Sequence, residues 1–206
     1  MEIEDFWENC HKTDSKDYLS GCTYEDTIKY LGIQAMIKPN INVLEIGVGL
    51  GHVTQGLKAQ GINVSCLEIS EKGIERVRSI CDNVYKPDDT YKMLSNYFDV
   101  ILCWNVVQHV PTELLIKELR DCVRALNFNG VFAIQFVSND NIEDFGQNPS
   151  LSTMQDGGCF RSPEFMKSTF ESFGADVEHI LERVVGIGGV DRDHVFHVRK
   201  RADEGV

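Results

Sequence analysis

The chain is short of basic residues, of paired cysteines and of long apolar runs. Its 206 residues hold 20 lysines and arginines against 32 aspartates and glutamates, a formal net charge of −12. A nucleic-acid partner is not expected, because displacing counterions from phosphates needs a basic face. The same charge disfavours docking on anionic membranes. No apolar stretch is long enough to span a bilayer. The opening Met1-Glu2-Ile3-Glu4-Asp5 is acidic and lacks the apolar core of a signal peptide. Cysteines at positions 10, 22, 66, 81, 103, 122 and 159 include no C-x-x-C pair, and their number is odd. Reduced thiols in a cytoplasmic protein are the expectation.

What is present is ordinary in amount and specific in arrangement. Hydrophobic residues make up 42% and charged residues 25%, enough for one α/β domain with a full core. The stretch around which the rest is arranged is Val43-Leu44-Glu45-Ile46-Gly47-Val48-Gly49-Leu50-Gly51. Asn42 to Ile46 reads as a short buried strand, and His52 to Gln60 as a helix stopped by Gly61. Glycines between them suit a backbone that turns with positive φ and lies close to a ligand at a helix N-terminus. A dinucleotide fold wants G-x-G-x-x-G. Here His52 stands where that last glycine would be, which speaks against a nicotinamide oxidoreductase.

The pattern E-x-G-x-G-x-G resembles the first motif of class I S-adenosylmethionine-dependent methyltransferases. The resemblance implies that Gly47, Gly49 and Gly51 cradle the cofactor, and that Glu45 sits near its methionine ammonium. Asn63 to Glu68 reads as a second strand ending in an acid 21 residues after Gly47. That is where a carboxylate accepts hydrogen bonds from both ribose hydroxyls; Ile69 would pack on the adenine. The turn Pro87-Asp88-Asp89 follows a thin third strand, Val84 to Lys86, and either aspartate could meet the adenine amine. Tyr97 to Trp104 is the strongest strand signal, and Asn105 and Val106 would lie at its carboxyl end beneath the sulfonium. Then come Gln108-His109-Val110-Pro111, a helix from Thr112 to Leu126, a turn over Asn127–Gly130 and a strand from Val131 to Val137. This run resembles the middle of small-molecule and glycan methyltransferases.

The expected fold is a Rossmann-like, doubly wound, mostly parallel seven-stranded sheet with a C-terminal antiparallel strand and helices on both faces. The single domain divides into an N-terminal helical cap (1–40), a cofactor-binding core (41–137), a loop or lid (138–161) and a C-terminal helix with a strand pair (162–200). Thr23 should cap a helix running towards Pro39. His11 and Tyr18 border the acceptor pocket if the cap folds over it, but a polar surface loop is the preferred reading. His194 and His197 point to opposite faces of a strand and do not form a metal site.

The function that the resemblance implies is methyl transfer to a small-molecule or glycan acceptor, directed at oxygen. His109 is the candidate base and Gln108 a candidate polar contact. No metal is expected. The rival metal-dependent arrangement would use Asn105, Asp140 and Asn141, a thin donor set for Mg²⁺. A non-catalytic S-adenosylmethionine-binding module is the other alternative.

Overall fold

The computed structural model describes residues 3–13, 22–140, 158–185 and 191–201. Tyr18 and Asn141 lie outside these residues, as does most of the expected lid. The elements in chain order are α1 (Ile3–Thr13), α2 (Tyr24–Tyr30), β1 (Asn42–Ile46), α3 (His52–Ala59), β2 (Asn63–Leu67), α4 (Glu71–Val77) and β3 (Asn83–Tyr85). A 3₁₀ turn (Pro87–Lys92), β4 (Phe98–Cys103), a second 3₁₀ turn (Val107–His109), α5 (Thr112–Ala125) and β5 (Leu126–Asn139) follow. We number the remaining elements α6 (Pro163–Ser172), β6 (Ala175–Val185) and β7 (Asp191–Lys200).

The seven strands lie in the order β3-β2-β1-β4-β5-β7-β6. β1 pairs in parallel with both β2 and β4, and β7 is antiparallel to both its neighbours. Chain order reverses between β1 and β4, so their carboxyl ends open a crevice at a switch point. Alternation along the strands divides the core into two layers. Leu44, Ile101, Phe132, Ile134 and Phe196 pack with Leu115 and Leu119 of α5 and Met166 and Phe170 of α6. Val43, Val64, Val100, Ala133 and Val195 pack with Ile28 of α2 and Val53 and Leu57 of α3. Both layers are shut off from water, which is why β1, β4 and β5 read as nearly continuous apolar runs.

Two boundaries differ from expectation. The helix capped by Thr23, whose Oγ1 accepts the Asp26 amide at 3.1 Å, ends at Tyr30 and not near Pro39. Gly32, with φ +70°, turns the chain there. The turn expected at Asn127–Gly130 is instead an irregular part of β5. Phe98 pairs with Leu126 and Val100 with Val131, so the extra residues bulge within one long strand. Gly130 is required at that bulge, because a Cβ there would sit 2.9 Å from the carbonyl oxygens of Phe98 and Asp99. The last strand, β7, begins at Asp191 and carries Asp193.

Candidate functional site

Gly47, Gly49 and Gly51 all take positive φ, at 74°, 50° and 79°. The first two turn the chain off β1 and the third is the N-cap of α3. The turn is held from two sides. The Gly47 amide donates to Leu67 O at the end of β2, 2.9 Å away. The Val48 amide donates to Glu68 Oε2 at 3.0 Å. The other carboxylate oxygen, Oε1, accepts the amides of Ile69 and Ser70 at 2.8 and 2.9 Å. Glu68, only 6% exposed, is therefore fixed by backbone donors before any ligand arrives.

A cleft of about 850 Å³ opens over these groups. Gly47, Gly49, Glu68, Ile69, Asn105, Val106 and His109 all border it. Gly51 does not. A second, smaller cavity adjoins it across Gly47, Gly49 and Trp104, and holds Glu45. Burial pushes the Glu45 carboxyl up to about 8, against the hydrogen bond of 2.5 Å that Thr54 Oγ1 donates to it. Trp104 and Thr27 also line this small cavity, and each has a buried polar atom, Nε1 and Oγ1, with no hydrogen-bond partner among the described residues.

Asn105 adopts φ +56°, a left-handed conformation that asparagine tolerates better than most residues. Its amide donates to Gln135 Oε1 at 2.8 Å. Gln135 Nε2 in turn donates to Asp193 Oδ1 at 2.5 Å, and Tyr30 OH donates to Asp193 Oδ2. A buried relay thus connects β7 and α2 to the turn after β4. His109 ends the next 3₁₀ turn, its ring edge-on to Trp7 of α1 with centroids 4.9 Å apart. That turn is pinned by the chain returning towards α6: Cys159 N donates to Gln108 O, and the fully buried Arg161 donates from its guanidinium to Val110 O.

Several expectations need correction. His11 is no surface residue: it is 4% exposed, borders the cleft and places Nε2 3.8 Å from Glu68 Oε2. Helix α1 carries it there together with Ile3 and Trp7, while Glu4 pairs with Lys86 and Glu8 accepts from Ser70 Oγ and the Lys72 amide at the start of α4. Gln108 is buried behind the turn and does not border the cleft. Neither does Asp88 or Asp89. Asp88 is 97% exposed beside Lys117, and Asp89 pairs with Lys92. A second buried acid at the cleft, beside Glu68, is Glu118 of α5, which sequence reasoning missed; desolvation raises it to about 8. Its only signal was an acid on the apolar stripe of α5, three residues after Leu115. Of the rival metal set, Asn141 lies outside the described residues, and the two oxygens of Asp140 each accept from Arg192 at 2.7 Å.

Residues 18–180 match the model of a family described as methyltransferase domain. The chain belongs to that family. No curated protein sequence matches this methyltransferase-domain chain. Its fold is shared with many solved structures. The Burkholderia thailandensis 1,6-didemethyltoxoflavin-N1-methyltransferase, solved with 1,6-didemethyltoxoflavin and S-adenosylhomocysteine, aligns with TM-score 0.68 at 13% identity over 97% of this chain and 88% of its own. Phosphoethanolamine N-methyltransferase 2 of Haemonchus contortus aligns with TM-score 0.67 at 16% identity, over 98% of this chain and 61% of its own. Magnesium protoporphyrin IX methyltransferase of Synechocystis aligns with TM-score 0.63 at 14% identity, over 96% of this chain and 98% of its own. The fold is that of the Rossmann-like class I methyltransferases.

Proposed function

We propose that this methyltransferase-domain protein moves a methyl group from S-adenosylmethionine to an oxygen of a small-molecule or glycan acceptor. The observation that carries the reading is the Gly47–Gly49 turn at the sheet's switch point, locked to the Glu68 carboxylate and opening into one cleft. The residues present fit the cofactor. A Cβ on Gly47 would lie 2.4 Å from Val106 Cγ2, so the turn leaves backbone alone to face a ligand. Glu68 suits the ribose hydroxyls. Glu45 suits the methionine ammonium, and the unpartnered Trp104 Nε1 and Thr27 Oγ1 suit the neighbouring carboxylate. Ile69 and Val106 flank the adenosine. Burial raises the Glu118 carboxyl to about 8, and in its protonated form it can donate and accept at once, which matches the paired amine and ring nitrogen of adenine.

Bound S-adenosylmethionine supplies an electrophilic methyl group on a cationic sulfur. The chain's own task is alignment and exclusion of water. Trp7, Val106, Val110 and Leu114 give the cleft apolar walls. Asn105, held by Gln135, fixes the wall beneath the sulfur. His109 takes the proton of the acceptor hydroxyl as the oxygen attacks. The nitrogen acceptors in the names of two fold neighbours define the second reading, since a neutral amine needs no base.

Calorimetric titration with S-adenosylhomocysteine and with NAD tests the cofactor. Transfer of labelled methyl to a panel of alcohols and amines tests the acceptor atom. NAD binding without an S-adenosylhomocysteine signal would overturn the proposal.

A further inference from the structure

Strand β6 changes phase part-way along. Its pairing with β7 shifts between His179 and Leu181, leaving Ile180 as an extra residue. In a regular strand residues three apart point to opposite faces. The bulge at Ile180 resets the alternation, as bulges do when they re-aim a side chain. His179 and Glu182 thereby share one face, Glu182 directly opposite His194 of β7. One ligand atom from each of the three residues lies within 4.8 Å of the others.

The two imidazoles are already disposed as a chelating pair. His194 Nδ1 and His179 Nε2 are 3.1 Å apart. Two nitrogens each about 2.0–2.1 Å from a tetrahedral ion would be separated by nearly that span. His194 is buried and its ring stacks on Phe136, with centroids 5.0 Å apart at 20°. Its Nε2 lies 2.7 Å from Ser138 Oγ, so a proton donated there leaves the Nδ1 lone pair facing His179. Such a hydrogen bond on the far nitrogen is what fixes the tautomer of a metal-bound histidine. His179 is set edge-on against Phe196, centroids 4.9 Å apart. Glu182 accepts from Arg192 at 3.3 Å. Arg192 keeps both bonds to Asp140 if Glu182 turns away, so recruiting the carboxylate strands no charge.

We propose that His179, Glu182 and His194 bind one divalent first-row transition-metal ion of the zinc class. Two imidazole nitrogens and one carboxylate oxygen hold it, and water completes the shell. This donor set disfavours Mg²⁺ and Ca²⁺, which prefer oxygen ligands. None of the three residues borders the cleft. The ion clamps the edge strand β6 to β7 and takes no part in methyl transfer.

The test is calorimetric titration of the chelator-treated full chain with Zn²⁺, and separately with Mg²⁺. One equivalent of Zn²⁺ should bind, with Mg²⁺ far weaker. His179 is exposed, so His179→Ala should fold normally, checked by circular dichroism, while losing Zn²⁺ affinity about a hundredfold or more. Glu182→Gln should weaken binding as well. Glu178→Gln removes the same charge from the opposite face of β6 and should change nothing. Absence of saturable Zn²⁺ binding overturns the site, as does binding that survives His179→Ala, a preference for Mg²⁺, or an equal loss in Glu178→Gln.

Discussion

The carboxylate of Glu68 reaches across from the end of β2 to accept the amide proton of Val48, 3.0 Å away in the glycine turn after β1. One side chain therefore joins two strand ends and orients the backbone between Gly47 and Gly49. Hydrogen bonds to a charged group are worth about 1.5–3 kcal/mol. Glu68→Gln should cost S-adenosylhomocysteine affinity of that order, measured by calorimetry. Unchanged affinity would place the ribose elsewhere.

Gly47→Ala meets two obstacles. Its φ of 74° is strained for any residue with a Cβ, by about 1–2 kcal/mol, and the added methyl meets Val106 Cγ2 at 2.4 Å. Cofactor binding should fall in the single variant. Val106→Ala in the same chain should recover the part due to the clash and leave the part due to backbone strain. Equal binding by the single variant and the parent would show that the turn does not touch the cofactor.

Glu45 and Glu118 give the ligand-free protein a pH dependence. Burial raises both carboxyls to about 8 from an ordinary value of 4.5. Over that interval the folded chain holds protons that the unfolded chain has released, so stability falls as pH rises. It should be full below about pH 4.5 as far as these two groups are concerned, and their contribution lost above about pH 8. Chemical denaturation at pH 5, 6.5 and 8 should show the decline, and Glu45→Gln should flatten it. A parent protein with no decline between pH 5 and 8 would refute the assignment.

His109→Ala should lower kcat by about 10²–10⁴-fold on an oxygen acceptor while leaving cofactor affinity nearly intact. The loss should be much smaller on an amine acceptor. If the ring only props Trp7 of α1, the variant will show reduced thermal stability and ordinary turnover instead.

Removing divalent ions with EDTA should leave S-adenosylhomocysteine affinity unchanged, since Asp140 is engaged by Arg192, and the one cluster of potential metal ligands among the described residues, His179, Glu182 and His194, lies away from the cleft. Affinity that falls with EDTA and returns with Mg²⁺ would reinstate the metal-dependent reading.

How much of this was legible in the sequence depended on range. Strands β1, β2 and β4 are short, apolar and bounded by turn residues, so their local pattern alone placed Glu45, Glu68 and Asn105 at strand ends. The glycine spacing did the same for the cradle. His11 was misread because its neighbours are polar; what buries it is Glu68, more than fifty positions away. Asp88 and Asp89 were attractive by position in the chain, yet Lys117 and Lys92 hold them outward. The role of Gln135 was hidden because a polar residue inside a buried strand has no local partner; Asp193 and Asn105 come to it only through the sheet. The bulge at Ile180, too, has no signature in the residues of β6.

The relay from Asp193 through Gln135 to Asn105 also has a consequence in time. Asp193 emerges from the ribosome long after the glycine turn, β2 and β4 have been made. Until it arrives, Gln135 lacks its buried acceptor and Tyr30 its partner, so the wall of the cleft is assembled but not fastened. Competence to hold a ligand should then appear late and abruptly during synthesis, as a sign that the final strand has seated.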